Sequence, residues 1–293
     1  MPWLQRNVPL GPALDITSWR KVAIGTWRTA GDPSVYVVLE LNAEPALAYL
    51  DKLSLRTDTR LTLSHFVGKA VAETLWRHPE INCVLRFGRL YPRRTVDLFF
   101  QVATDPIGKD LSGATIRQAE AKSIAEIAAE LQAKVDGIRR QGDPEFRRMK
   151  GVFGALPGCL AGPLLRVSGV VAYTLNLWSP LLGAPRDAFG SVMITNIGSL
   201  GLEMAFGPLV PYSRVPLVIA IGAVQEKPTV VDHQVTVARV ITLCVTFDHR
   251  LIDGVQVSRL AKTVQDIFAN PERELEGSRS REAASPLRSL PTE

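Results

Sequence analysis

Apolar positions recur at helical spacing in three long stretches. Between Thr62 and Arg77, Leu63, Phe66, Val67, Ala70, Val71, Thr74 and Leu75 share one face, and Pro79 closes the run, which predicts a helix. From Thr115 to Arg140 the stripe Ile116, Ala119, Ile124, Ile127, Leu131, Val135 and Ile138 predicts a long amphipathic helix. Val257, Leu260, Ala261, Val264 and Phe268 predict a closing helix over Gly254 to Phe268. Shorter helical runs are read at Ser18 to Arg28 and Pro45 to Leu53, on either side of a break at Asp32-Pro33. β-Rich runs predict strands at Val35–Leu41, at Val84–Leu90 and Val96–Ala103 around a turn, and at Ser191–Thr195. Further strands are predicted at Pro216–Val224 and Val235–Arg239, with Val240–Phe247 continuing or following the latter, and with Asp232-His233-Gln234 as a turn. Helices and strands alternate with neither an internal repeat nor a flexible linker. The pattern therefore predicts one α/β domain over residues 1–270 and a polar, flexible tail over 271–293.

One segment breaks this rhythm. Between Gly151 and Pro185 the only charged residue is Arg166, and Cys159 to Trp178 is long enough to cross a bilayer. The segment also holds Gly162-Pro163, Ser168, Gly169, Thr174 and Asn176, and a lone span would leave Arg166 without a counter-charge. We read 151–185 as an apolar helical insertion packed on the domain or on another subunit, with loose attachment to a membrane surface as the alternative.

Composition narrows the classes further. The 293 residues carry a net charge of +5 with Arg scattered along the chain, so no nucleic-acid partner is expected. Cys83, Cys159 and Cys244 form no C-x-x-C pair, which argues against a disulfide framework and a zinc ribbon, and no metal site is expected. The N-terminus lacks the apolar core of a signal peptide, and the expected setting is the reducing cytoplasm.

The stretch with most chemical content runs from Val240 to Val255. A buried strand ends in Asp248-His249, a turn follows, and Asp253-Gly254 opens a helix. Such a junction delivers an imidazole from a rigid strand end, and imidazole is the side chain best suited to moving a proton near neutral pH. Asp253 would fix the loop by pairing with an arginine, and Gly254 would permit a tight turn. The plainer alternative is a histidine that satisfies a local hydrogen bond, with Asp253 as a helix N-cap. His65 reads as a packing residue, His78 as a helix end and His233 as a solvated turn residue. Arg86, Arg89, Arg93 and Arg94 read as a basic cluster, most simply a solvated face and alternatively a contact for the phosphates of a ligand.

Thr-Phe-Asp-His-Arg-Leu-Ile-Asp-Gly at 246–254 resembles the active-site signature of the acyltransferase core of 2-oxo acid dehydrogenase complexes. Met193-Ile-Thr-Asn-Ile-Gly198, Ile219-Ala-Ile-Gly-Ala-Val-Gln-Glu-Lys-Pro228, Leu63-Ser-His-Phe-Val-Gly-Lys-Ala70 with His78-Pro-Glu-Ile-Asn82, and Ala121-Lys-Ser-Ile-Ala-Glu-Ile-Ala128 are similar to further segments of that family. Asp15-Ile-Thr-Ser-Trp19 resembles the start of chloramphenicol acetyltransferase, which shares the fold. The resemblance implies a coenzyme A-dependent acyltransferase (chloramphenicol acetyltransferase-like) fold with a mixed sheet and flanking helices. It implies His249 as general base toward the thiol of coenzyme A or of a dihydrolipoyl group, and Thr195 as hydrogen-bond donor to the oxyanion. Asp253 would hold the loop by a salt bridge, with Gly254, Asn196 and Arg250 structural at the site. It also implies a homotrimer whose sites take the histidine and the hydroxyl from different chains.

The departures from the family pattern are specific. No lipoyl or subunit-binding domain is expected in the chain, so a lipoyl group would sit on a separate protein. Thr104-Asp-Pro-Ile-Gly-Lys-Asp-Leu111 replaces the family's usual tunnel loop, and 151–185 is longer than the usual connection. Two rival functions follow: a small-molecule O- or N-acetyltransferase, and a non-catalytic trimeric scaffold of the same fold.

Overall fold

The computed structural model describes residues 5–15, 17, 32–57, 59–103, 111–141, 157–179, 185–231 and 233–276. The helical run expected at 18–28, the loop at 104–110 and the tail from 277 lie outside these residues. A mixed sheet forms the centre. Its strands run in the order β6 (Leu111–Ile116), β5 (Leu98–Ala103), β8 (Val192–Asn196), β9 (Leu217–Ile221), β11 (Gln234–Asp248) and β2 (Ser34–Asn42). β5–β8 and β8–β9 are parallel, and the other pairs are antiparallel. β10 (Gln225–Val231) pairs with the first half of β11. The small pairs are β1 (Gln5–Arg6) with β7 (Leu177–Trp178), and β3 (Cys83–Arg86) with β4 (Arg89–Pro92).

β11 runs through 235–239 and 240–247 as one strand, the continuing alternative of the two. It is long because its first half pairs with β10 and its second half with β9, while β2 lines the other edge. Residues 241–248 are buried without alternation, as a strand covered on both sides requires. One face carries α1 (Glu44–Thr57), α2 (Leu63–Arg77), α3 (Ile124–Gln141) and α5 (Gly254–Ala269). Their core joins Phe66, Leu75, Ile127 and Phe268 to Ile194, Ile219, Leu243 and Phe247 of the sheet. The other face holds smaller clusters around Phe99, Met193 and Val218, and around Cys244, Ala220 and Ile197.

The long helix expected over 115–140 begins only at Ile124. Ile116 reaches the core from strand β6 and Ala119 from a 3₁₀ turn, so both mimic helical spacing without being helical. Packing fixes the strand: a Cβ on Gly113 would stand 1.9 Å from the Phe99 ring on the paired strand. The strand expected over 84–90 is a hairpin. Phe87 (φ 47°) and Gly88 (φ 75°) form a two-residue turn with both φ values positive, the geometry that matches strand twist.

Within the apolar insertion, α4 (Gly158–Gly169) continues as a wide helical turn over Val170–Thr174. It docks through Tyr173 and Ala172 against Val8, Leu10, Val84 and Tyr91, and leaves Leu160, Leu164, Val167 and Val170 exposed. No helix among the described residues is long and apolar enough to cross a membrane. The arginines at 86–94 do not form one basic face. Arg86 donates to the Thr174 carbonyl and stacks on Tyr91, whereas Arg93 is buried against Asp187. The chain stays docked past residue 270: Leu275 is buried, and the Arg77 guanidinium donates to Glu274 at 2.7 Å.

Candidate active site

The last turn of β11 is held as a rigid unit. Asp248 N–H donates to the Pro216 carbonyl at 3.0 Å, and His249 N–H donates to the Pro33 carbonyl at 2.9 Å. The Asp248 carboxylate accepts from the Arg250 amide and from Arg250 Nε, each at 2.9 Å. Both residues are buried, so the pair fixes the backbone on either side of His249. The His249 ring is half-buried, with its centroid 6.4 Å from that of Phe247.

Asp253 takes the capping position that was the plainer alternative for it. It is the N-cap of α5 and accepts from the Gln256 amide at 3.0 Å, while Gln256 Oε1 accepts from the Asp253 amide at 3.0 Å. This capping box anchors the far side of the turn. The Asp248 carboxylate pairs with Arg250 on the near side of the same turn. Gly254 is the first residue of α5, and a Cβ there would meet nothing within 4 Å among the described residues.

Thr195 lies near the end of β8, opposite Ala220 of β9. Strand alternation turns it to the face away from the helices, and turns Asn196 toward them. Asn196 Nδ2 donates to Ser64 Oγ at 2.8 Å and its Oδ1 accepts from the Ser199 amide at 3.0 Å, so Asn196 ties β8 to α2. The segment 202–206 crosses the Thr195 face closely. A Cβ on Gly222 would stand 2.0 Å from the Glu203 carbonyl oxygen, which only glycine permits. Tyr36, Val38, Leu202, Met204 and Phe206 are exposed there, with the Tyr36 and Phe206 rings 5.0 Å apart.

The register separates the two candidate groups. Thr195 is level with Ala220, and Ala220 with Cys244, whereas His249 follows Asp248 at the other end of the same strands. Four residues from Cys244 to Asp248 span about 13 Å along the sheet, and β8 to β11 adds about 10 Å across it. Within one chain the imidazole and the Thr195 hydroxyl do not share a site.

Three further residues were not singled out by sequence, or not for the role they have. Ser64 holds Asn196, which no local motif signals. His65 pairs with the Thr62 amide and hydroxyl at 3.2 Å as part of the α2 cap, and burial lowers its pKa. Arg214 stands beside the Asp248–Arg250 pair in a proline-rich loop. Burial, and then the like charge of Arg250, lower its pKa.

A family model described as 2-oxoacid dehydrogenases acyltransferase (catalytic domain) matches residues 15–151 and 186–275. The chain is 23% identical over 245 residues to a dihydrolipoyllysine-residue acetyltransferase component of a pyruvate dehydrogenase complex from Acholeplasma laidlawii, covering 82% of this chain and 37% of that protein. It is 22% identical over 266 residues to the corresponding component of an acetoin cleaving system from Bacillus subtilis, covering 88% and 55%. The chain therefore spans about half or less of the length of these relatives. The cubic core of a pyruvate dehydrogenase multienzyme complex superposes with a TM-score of 0.62 at 18% identity, covering 90% of this chain and 99% of that one. A chloramphenicol acetyltransferase does so with a TM-score of 0.56 at 16% identity, covering 88% and 99%. At these identities the likeness is one of fold, and the α/β fold with a mixed sheet and flanking helices agrees with the sequence reading.

Proposed function

The chain belongs to the 2-oxoacid dehydrogenases acyltransferase (catalytic domain) family, and from that premise we propose that it moves an acyl group between coenzyme A and a dihydrolipoyl thiol. His249 takes the proton from the attacking thiol. The thiolate adds to the thioester carbonyl, and the tetrahedral intermediate places a negative charge on its oxygen. The Thr195 hydroxyl of a neighbouring subunit donates a hydrogen bond to that oxygen. Collapse expels the second thiolate, which recovers the proton from the imidazolium, so a thioester is exchanged without net redox change.

The observation that carries this reading is the placement of His249 and Thr195 at opposite ends of the strands. A homotrimer, or an assembly of trimers, brings one chain's imidazole to the next chain's hydroxyl. The exposed apolar strip Tyr36, Val38, Leu202, Met204 and Phe206, on the Thr195 face, supports a subunit contact. The lipoyl group would be carried on a separate domain. The thiol chemistry fits a reducing cytoplasm, where Cys83 and Cys244 remain buried thiols.

Incubation of the purified protein with a panel of acyl-coenzyme A thioesters, with and without free dihydrolipoamide, tests the assignment. Release of coenzyme A that depends on dihydrolipoamide is the expected result. Release that needs only a small amine or alcohol acceptor would assign the chain to small-molecule acetylation. No release by a folded trimer would leave the scaffold role.

A further inference from the structure

A cleft of about 310 Å³ flanks the turn that bears His249. Asp248 lines it on one side of that residue and Arg250 with Leu251 on the other. Pro208, Leu209, Val210, Pro211 and Val215 supply an apolar wall. Arg214 lines the cleft beside them. Its Nε is buried with no hydrogen-bond partner, and no carboxylate among the described residues forms an ion pair with it. The Asp248 carboxylate, whose charge acts on Arg214, is already engaged by Arg250. Arg214 also holds a left-handed backbone, φ 54°, after the turn in which the Ser213 amide and hydroxyl both donate to the Val210 carbonyl. A cation kept half-buried, with no ion pair among the described residues and in a costly backbone conformation, is a feature that folding alone does not favour.

We infer that this cleft is a binding site for a small organic carboxylate, with Arg214 as its anion-binding group and the proline-rich wall receiving the apolar body. A planar guanidinium matches a carboxylate in two parallel hydrogen bonds, and the apolar wall selects against fully hydrated inorganic ions. The carboxylate has two sources: the far end of a dicarboxylic acyl group on the reacting thioester, or a separate small acid. The site stands on its own geometry and does not need the proposed reaction to be correct.

Calorimetric titration of the full chain with glutarate, butyrate, the neutral isostere butyramide and inorganic phosphate tests it. The two carboxylates bind and butyramide does not. Arg214→Met weakens glutarate by about tenfold or more, and Arg214→Lys by less, as expected for a charge-assisted hydrogen bond. The melting temperature of Arg214→Met without ligand is equal to or above that of the parent, because an uncompensated charge is removed. Turnover of succinyl-coenzyme A against butyryl-coenzyme A separates the sources. A preference for succinyl lost in Arg214→Met assigns the carboxylate to the acyl group, and an unchanged ratio assigns it to a separate acid. Phosphate binding as well as glutarate, carboxylates binding no better than butyramide, or a marked fall in the melting temperature of Arg214→Met would overturn the inference. Glutarate binding through Arg214 by a chain that turns over no thioester would overturn the proposed reaction and leave this site standing.

Discussion

His249→Ala lowers the turnover of acyl transfer by about a thousandfold, within the 10²–10⁴ range of a positioned general base. The backbone around the residue is held by groups other than its side chain. The Asp248 amide is tied to Pro216, the His249 amide to Pro33, and the Arg250 amide and guanidinium to Asp248. Truncation at Cβ removes none of these bonds. The variant therefore folds, melts near the parent temperature and keeps its oligomeric state while losing the chemical step. Initial rates of coenzyme A release beside a thermal melt check this. Loss of rate with loss of fold would show His249 to be structural, and an unchanged rate would remove it from the reaction.

The largest expected effect on stability lies away from that turn. Arg93 is 2% exposed and its guanidinium pairs with Asp187, which is 4% exposed. Around them the Asp187 amide donates to Asn7 Oδ1 at 2.8 Å, and Arg117 donates to the Asp187 carbonyl at 2.8 Å. Tyr173 is packed beside the pair, and burial pushes its phenol well above the usual range. The cluster joins the N-terminal strand, the hairpin and the residues that lead into β8. Arg93→Leu leaves the Asp187 carboxylate buried without its counter-charge and lowers unfolding stability by about 3–5 kcal/mol. That is a large share of the roughly 5–15 kcal/mol that holds a domain together. Arg93→Leu combined with Asp187→Leu recovers most of the loss, because the double change removes both charges at once. Urea titrations of the parent, both single variants and the double variant measure the cycle. A single variant within about 1 kcal/mol of the parent would contradict the burial argument.

The sequence pattern carried much of this architecture. The face from Val257 to Phe268 marks α5 because that helix packs one apolar side on the core and exposes the other, and the stripe over 63–77 marks α2 although that helix is buried on every side from Phe66 to Leu75. The pattern failed where tertiary pairing overrode local spacing. Ile116 and Ala119 lie on a strand and a 3₁₀ turn, because Gly113 lets β6 pass beneath the Phe99 ring. The turn at Phe87-Gly88 escaped notice because Val84, Leu85 and Leu90 read as one β-rich run. At the site, His249 was legible through the strand-turn-helix junction and the family signature. The capping role of Asp253 was legible only as the plainer alternative, since a carboxylate before a helix fits both a cap and an ion pair. Ser64 and Arg214 were invisible, because each acquires its role from residues more than thirty positions away. The separation of His249 from Thr195 within one chain follows from register, whereas a division of the proposed site between chains was implied only by the family resemblance.

That division is tested most directly by mixing two inactive variants. His249→Ala and Thr195→Ala chains are unfolded together, refolded and assayed as mixed trimers. A site drawing its imidazole from one chain and its hydroxyl from the next is intact wherever a Thr195→Ala chain precedes a His249→Ala chain, which random mixing in a closed ring makes true of about a quarter of sites. Recovery to about a quarter of the parent rate, from variants that are each inactive alone, is the result this account predicts. Mixed trimers verified by mass that remain as inactive as either variant would contradict it.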